Sequence, residues 1–141
     1  MASDGNDFSR SMSIATSGLR AQAGRMRVIS ENIANSDSTG QTAGGDPYRR
    51  KVPTFSSELD RTLDAKVVTL GRVRPDASAF PVKYEPNNPA ADAAGNVKYP
   101  NVNKLIEMTD MREAQRSYEA NLNIISATRR MIQRTLDILK A

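Results

Sequence analysis

The stretch from Asn103 to Leu139, NKLIEMTDMREAQRSYEANLNIISATRRMIQRTLDIL, decides the architecture. Positions 108, 111, 115, 118, 122, 125, 129, 132, 136 and 139 read Met, Met, Gln, Tyr, Leu, Ile, Arg, Ile, Leu, Leu. Steps of three and four alternate, as in the seam of a coiled coil. Eight of these ten positions are apolar, and no Pro or Gly interrupts the run. At 1.5 Å rise per residue such a helix is roughly 55 Å long, too long to bury its stripe on itself. Glu107, Asp110 and Glu113 stand early, and Arg129, Arg130, Arg134 and Lys140 stand late, an order that suits the helix macrodipole.

The other end of the chain has a matching pattern. Phe8, Met12, Ala15, Leu19, Gln22, Met26, Ile29 and Ile33 recur at the same spacing, and only Gln22 breaks the stripe. A cluster of turn formers, Asn35 to Gly40, closes this helix. Between the helices, residues 36–103 hold all seven prolines and most of the glycines. Short runs there, 66–70, 79–84 and 96–99, have strand composition. The run 55–65 is ambiguous, since Ser56-Ser57-Glu58-Leu59 is also compatible with a capped short helix. The expected organisation is a flexible N-terminus over 1–7, a helix over 8–35, a loop and β-rich insert over 36–103, and a helix over 104–141. The expected fold is mainly α with a small β-rich insert, its N- and C-terminal helices paired as an antiparallel coiled coil. Ile14, Val28, Ile106, Ile124, Met131 and Ile138 lie off the two seams. They are surplus apolar surface for a lone hairpin and point to assembly with other chains.

Composition narrows the function. The 141 residues include no Cys and no His. Disulfides, thiolate metal sites and Cys nucleophiles are excluded, and the commonest general base and metal ligand is missing. Neither a catalytic residue nor a cofactor or metal site is expected. Aromatics make up 5% and include no Trp, so packing is expected between extended helices rather than around a bulky core. A net charge of +4 permits contact with nucleic acid or acidic membrane without indicating it. No stretch reaches the roughly 20 apolar residues of a membrane span, and the polar start lacks the marks of a secretory signal. Arg49-Arg50-Lys51 lacks interleaved aromatics and reads first as solvated charge. Gly44-Gly45 is not followed by the Lys-Ser/Thr of a phosphate loop.

Four segments carry a resemblance. Asn32-Ile33-Ala34-Asn35, followed by Thr39, resembles the N-terminal signature of flagellar rod, hook and hook-associated proteins. Pro47-Tyr48-Arg49-Arg50-Lys51 is similar to the proximal-rod branch, the FlgC family. So is the run from Tyr84-Glu85-Pro86 through Pro89, Gly95, Val97 and Tyr99-Pro100-Asn101-Val102-Asn103. Glu107-Met108, Met111, Ala114, Arg116, Tyr118 and Ala120-Asn121 resemble the family's C-terminal signature. Asn87-Asn88 and Gly95-Asn96 depart from the family's usual Gly-His and Gly-Tyr, both in loops.

The resemblance implies a non-enzymatic structural subunit of the flagellar basal-body rod, in the part that spans the periplasm. It implies export through the flagellar type III apparatus without a cleaved signal, a route that suits a chain without Cys. The implied partners are other proximal and distal rod proteins, the adaptor at the rod base, the surrounding rings and copies of itself, with no nucleic acid and no membrane insertion. Residues expected at assembly contacts are Asn32, Ile33, Ala34, Asn35, Thr39, Tyr48, Arg49, Arg50, Met108, Met111, Tyr118, Asn121, Leu122, Ile125, Ile132 and Leu136. The rival reading is a basic helical module binding nucleic acid or membrane, an affinity that salt would abolish. If Phe8 lies near Leu139, facing positions sum to about 147, which places Gln115 opposite Asn32 and turns Gln22 outward.

Overall fold

The computed structural model describes residues 2–140, with side chains from Asp7 onward. Two helices bracket a series of short strands. Helix α1 spans Ala2–Ala34 and α2 spans Lys104–Lys140. The strands are β1 (Lys51–Val52), β2 (Phe55–Asp60), β3 (Ala65–Leu70), β4 (Arg74–Pro75), β5 (Val82–Tyr84) and β6 (Asn96–Lys98). They form three separate antiparallel pairs, β1–β4, β2–β3 and β5–β6. The mainly helical reading with a small β insert holds. Helix α1 begins at Ala2 rather than near residue 8; the side chains of the expected flexible N-terminus, apart from Asp7, lie outside the described residues.

The ambiguous run after Phe55 is a strand. Ser56, Thr69, Val67 and Val68 favour the pleated surface of a hairpin, and the register pairs Phe55 with Leu70 and Asp60 with Ala65. The tip is closed by Asp60, whose Oδ1 accepts from the backbone N–H of Thr62 at 2.9 Å and Leu63 at 3.3 Å. Asp64 takes the left-handed conformation, φ 46°, which returns the chain into β3.

The helix ends follow ordinary capping chemistry. Asn103 caps α2, its Oδ1 accepting from the N–H groups of Leu105 and Ile106 at 3.0 and 3.3 Å. Helix α1 stops where Ser36 donates its Oγ hydrogen to the carbonyl of Ile33 at 2.7 Å, competing with continuation of the helix.

The chain divides into two compact units. One comprises Met1–Met26, Thr54–Arg72 and Glu113–Ala141; the other comprises Arg27–Pro53 and Val73–Arg112. Within the first, α1 and α2 run antiparallel. A Cβ built on Gly18 would lie 2.8 Å from Asn121 Nδ2, and Arg25 reaches Glu113 at 3.5 Å. The β2–β3 hairpin also lies against α1. Leu70 Cδ2 would be 2.6 Å from a Cβ on Gly24, so Gly24 is needed for that approach. Ser17 Oγ accepts from Val68 N–H at 3.1 Å, which ties β3 to α1 at that point. An open groove of about 660 Å³ remains between this part of α1 and the hairpin.

The stripe that α2 buries differs from the expected one by a small rotation. Glu107, Met111, Ala114, Tyr118, Asn121, Ile125, Thr128 and Ile132 are buried or half-buried. Met111, Tyr118, Ile125 and Ile132 stand as expected. Met108, Gln115, Leu122, Arg129, Leu136 and Leu139 are exposed. The large apolar residues at 108 and 122 misdirect a reading by hydrophobicity, because the buried face uses small or polar residues at 107, 114, 121 and 128. On α1, every expected seam position from Phe8 to Ile33 is buried or half-buried. Val28, expected off the seam, is buried as well, as are Ala21 and Gly24, so this helix is covered on more than one side.

Candidate functional site

The second unit is organised around a buried amide. Asn32 sits in the last turn of α1 and is 0% exposed. All four of its hydrogen-bonding positions are used. Its Nδ2 donates to the Lys51 carbonyl at 2.8 Å and to Glu107 Oε2 at 3.1 Å. Its Oδ1 accepts from the Tyr48 hydroxyl at 2.9 Å and from the Lys51 N–H at 3.0 Å. A primary amide offers two donors and two lone pairs, so this one is saturated without water.

Glu107, in the first turns of α2, is the counterpart from the other helix and is 1% exposed. Its second oxygen, Oε1, accepts from Arg50 Nε at 2.6 Å. A carboxylate this deep needs a cation and full hydrogen bonding to offset desolvation, and Arg50 and Asn32 together supply both. The Arg50 guanidinium also reaches Asp76 at 3.5 Å and Asp110 at 4.0 Å. Burial opposes its charge, but the Glu107 and Asp76 carboxylates outweigh this, and its pKa is raised. Asp76 is held below the usual carboxylate range, first by hydrogen bonds from Ser78 and then by Arg50.

The chain before β1 is tied to the same point. The backbone N–H of Arg50 donates to Asn101 Oδ1 at 2.8 Å, and Asp76 N–H donates to the Arg50 carbonyl at 2.8 Å. Arg49 donates to the carbonyls of Asp76 at 2.8 Å and Ser78 at 3.1 Å, with its guanidinium 4.1 Å from the Phe80 ring centre. Lys51 Nζ pairs with Glu31, and Lys104 Nζ with Asp37. The Tyr48 hydroxyl is pushed up to about 12, chiefly by burial and then by the Glu31 and Glu107 carboxylates. The basic tripeptide Arg49-Arg50-Lys51, read first as solvated charge, is therefore a structural clamp.

Of the sixteen expected contact residues, three meet in this cluster: Asn32, Tyr48 and Arg50. Arg49 lies beside it. Asn35 turns back, donating its Nδ2 hydrogen to the Glu31 carbonyl at 2.9 Å. Ile33 and Thr39 are half-buried and Ala34 is exposed. On α2, Met111, Tyr118, Asn121, Ile125 and Ile132 belong to the inward stripe, while Met108, Leu122 and Leu136 face outward.

The expected Gln115 partner of Asn32 is not made. The amide is fully engaged by Glu107, Lys51 and Tyr48, and Gln115 is exposed. The register sum is 32 + 107 = 139 within this unit and 18 + 121 = 139 within the first, rather than about 147. Gln22 does not turn outward either: its Oε1 is buried without a hydrogen-bond partner. Glu107, Lys51, Asn101 and Asp76 were missed as site residues. The sequence position of Glu107 suggests only a role at the helix dipole, although a carboxylate four residues before Met111 falls on the same stripe as the apolar seam.

Among the described residues no group of acidic side chains is placed to hold a metal ion, and no helix is long and apolar enough to cross a membrane. An outward apolar stripe is the other prominent feature. Ile124, Met131 and Ile138 recur every seven residues on α2 and are 48%, 51% and 76% exposed.

Comparison with known proteins places these features. A family model described as "Flagella basal body rod protein" matches residues 12–40. One described as "Flagellar basal body rod FlgEFG protein C-terminal" matches residues 93–138. The chain is 54% identical over 134 residues to the flagellar basal-body rod protein FlgC of Agrobacterium fabrum, covering 95% of this chain and 96% of the relative. It is 37% identical to the protein of that name from Bacillus subtilis, over 92% and 97% of the two chains. With the Salmonella typhimurium protein the identity is 38%, over 89% and 92%. Nothing in these relatives supports the nucleic-acid or membrane reading.

Proposed function

The chain belongs to the FlgC family of flagellar basal-body rod proteins and is a structural subunit of that rod, and from this premise we propose how its surfaces divide the work. The inward stripes of α1 and α2 pair with each other as an antiparallel coiled coil. The outward stripe of Ile124, Met131 and Ile138 is covered by neighbouring subunits. Its exposure is the observation that carries the reading. Three large apolar side chains in a heptad row present a continuous face that water covers poorly, and the seven-residue spacing matches knobs-into-holes packing by another helix. Ile14 in the same unit and Ile106 in the second unit are also exposed and are further apolar side chains open to neighbours.

The neighbours in this reading are other proximal and distal rod proteins, further copies of the chain, the adaptor at the rod base and the encircling rings. The subunit catalyses nothing; it transmits torque through packed helices in the periplasm-spanning shaft. It reaches that place through the type III apparatus without a cleaved signal. Absence of Cys suits passage of an unfolded chain, because no disulfide can staple it.

Met131→Asp and Ile138→Asp test the assignment. Each leaves the helicity of the purified chain unchanged, because the side chain already meets water. Each blocks incorporation into basal bodies and abolishes swimming, because burial of an unpaired carboxylate at an interface costs several kcal/mol. Normal motility in both strains would refute the role of this stripe.

A further inference from the structure

The apolar stripes alone do not determine how the helices align. A seam with a 3.5-residue repeat matches itself again after seven residues. Sliding α2 by one heptad brings Ala114 to the place of Glu107 and Tyr118 to the place of Met111. The large apolar places stay apolar, with Tyr118, Ile125, Ile132 and Leu139 moving to those of Met111, Tyr118, Ile125 and Ile132, while Asn121 moves to that of buried Ala114. Placing Phe8 near Leu139 sets Gln115 opposite Asn32, one residue beyond such a heptad slip from the observed partner.

We propose that Asn32 and Glu107 form a polar latch that selects one alignment of the two helices from a heptad-degenerate set. In the observed alignment the Asn32 amide makes four hydrogen bonds and both Glu107 oxygens are occupied. In the slipped alignment a methyl group, Ala114, faces the amide. One donor of Asn32 is then buried without a partner, and Glu107 is parted from Asn32. The large apolar contacts discriminate weakly between the two alignments, whereas the buried polar groups discriminate strongly. The loop cannot relax this requirement, because Tyr48 and Lys51 converge on the same amide and Arg50 on the same carboxylate. The latch thus ties loop and helices to a single arrangement, in the way a lone polar residue fixes register in a coiled coil.

The chain has no Cys, so paired cysteines report alignment without background. Asp37 and Lys104 touch in the observed alignment; a heptad slip moves α2 by about 10 Å and brings position 111 to Asp37 instead. Full-length chains carrying Asp37→Cys with Lys104→Cys, or Asp37→Cys with Met111→Cys, are treated with a short thiol cross-linker and mapped by mass spectrometry. With the latch intact only the 37–104 product forms. In the Asn32→Leu/Glu107→Leu background the 37–111 product rises at least about tenfold. In the Glu107→Ala/Ala114→Glu background, which carries the carboxylate one heptad along, the dominant product becomes 37–111. Glu107→Gln, which keeps an acceptor for Asn32, retains the 37–104 product. A transplanted chain that keeps the 37–104 product, or yields neither, overturns the proposal.

Discussion

Replacing Glu107 with alanine removes the carboxylate from the most deeply buried polar contact of the second unit. Two partners are affected. Arg50 loses a charge-assisted hydrogen bond of 2.6 Å, and one Asn32 donor loses its acceptor at 3.1 Å. Breaking a buried ion pair by removing one member costs about 3–5 kcal/mol, and an orphaned buried amide N–H adds about 1–3 kcal/mol. The two costs do not simply add. Arg50 keeps Asp76 at 3.5 Å and retains some exposure to water, which lowers the first. A net loss of about 4 kcal/mol follows, which corresponds to a fall in Tm of roughly 10–20 °C for a chain of this size. Glu107→Gln keeps the acceptor for Asn32 but gives up the charge and the acceptor for Arg50 Nε, so about half that loss is expected, because no donor of Asn32 is orphaned. Urea unfolding followed by far-ultraviolet circular dichroism measures both variants against the natural chain. A loss below about 1 kcal/mol for Glu107→Ala, or equal losses for the two variants, would refute the account of the cluster.

Tyr48→Phe removes one acceptor contact of Asn32 and costs about 1 kcal/mol at neutral pH. In the folded chain the Tyr48 hydroxyl is raised to about 12, above the ordinary phenol value of about 10, so its stabilisation is whole below about pH 10 and is lost as pH rises to about 12; an alkaline unfolding series in which the Phe variant follows the same decline would contradict this. Asp64→Gly relieves the left-handed backbone at the β2–β3 tip and stabilises by about 0.5 kcal/mol, since the exposed Arg10–Asp64 pair it gives up contributes little; thermal melting gives the sign, and a clear loss of stability would be the wrong one. Ile125→Asp destabilises the purified chain by about 2 kcal/mol or more, whereas Leu122→Asp changes it by less than about 0.5 kcal/mol, because Leu122 faces water; similar urea midpoints for the two would show that the inward stripe is misplaced.

The helix–insert–helix order was legible because two long runs repeat every three and four residues and every proline falls between them. The azimuth of the α2 stripe was not. Hydrophobicity ranks Met108 and Leu122 above Glu107 and Asn121, yet the side that packs is chosen by what the rest of the fold can satisfy. Glu107 becomes an inward residue only because Arg50, 57 positions earlier, and Asn32, 75 positions earlier, arrive beside it. No local pattern encodes that meeting. The β2 strand was open to two readings for a similar reason. Its serines cap a helix or line a strand with equal ease, and the partner strand decides. Asn32 was visible as part of a signature, but its role depends on residues from three separate parts of the chain.

The long sequence separations within the cluster also bear on time. Asn32 waits for Lys51, 19 residues on, and then for Glu107. Contacts spanning such distances form late, since the intervening loop must close before they bring any gain. During synthesis, which runs from the N-terminus, the latch therefore stays open until Glu107 has followed. During that interval the Asn32 amide is held by water, and burying it against anything apolar would cost its hydrogen bonds. The same arrangement that ends as the most fully hydrogen-bonded buried amide of the unit begins as a delay that lasts until Glu107 has arrived.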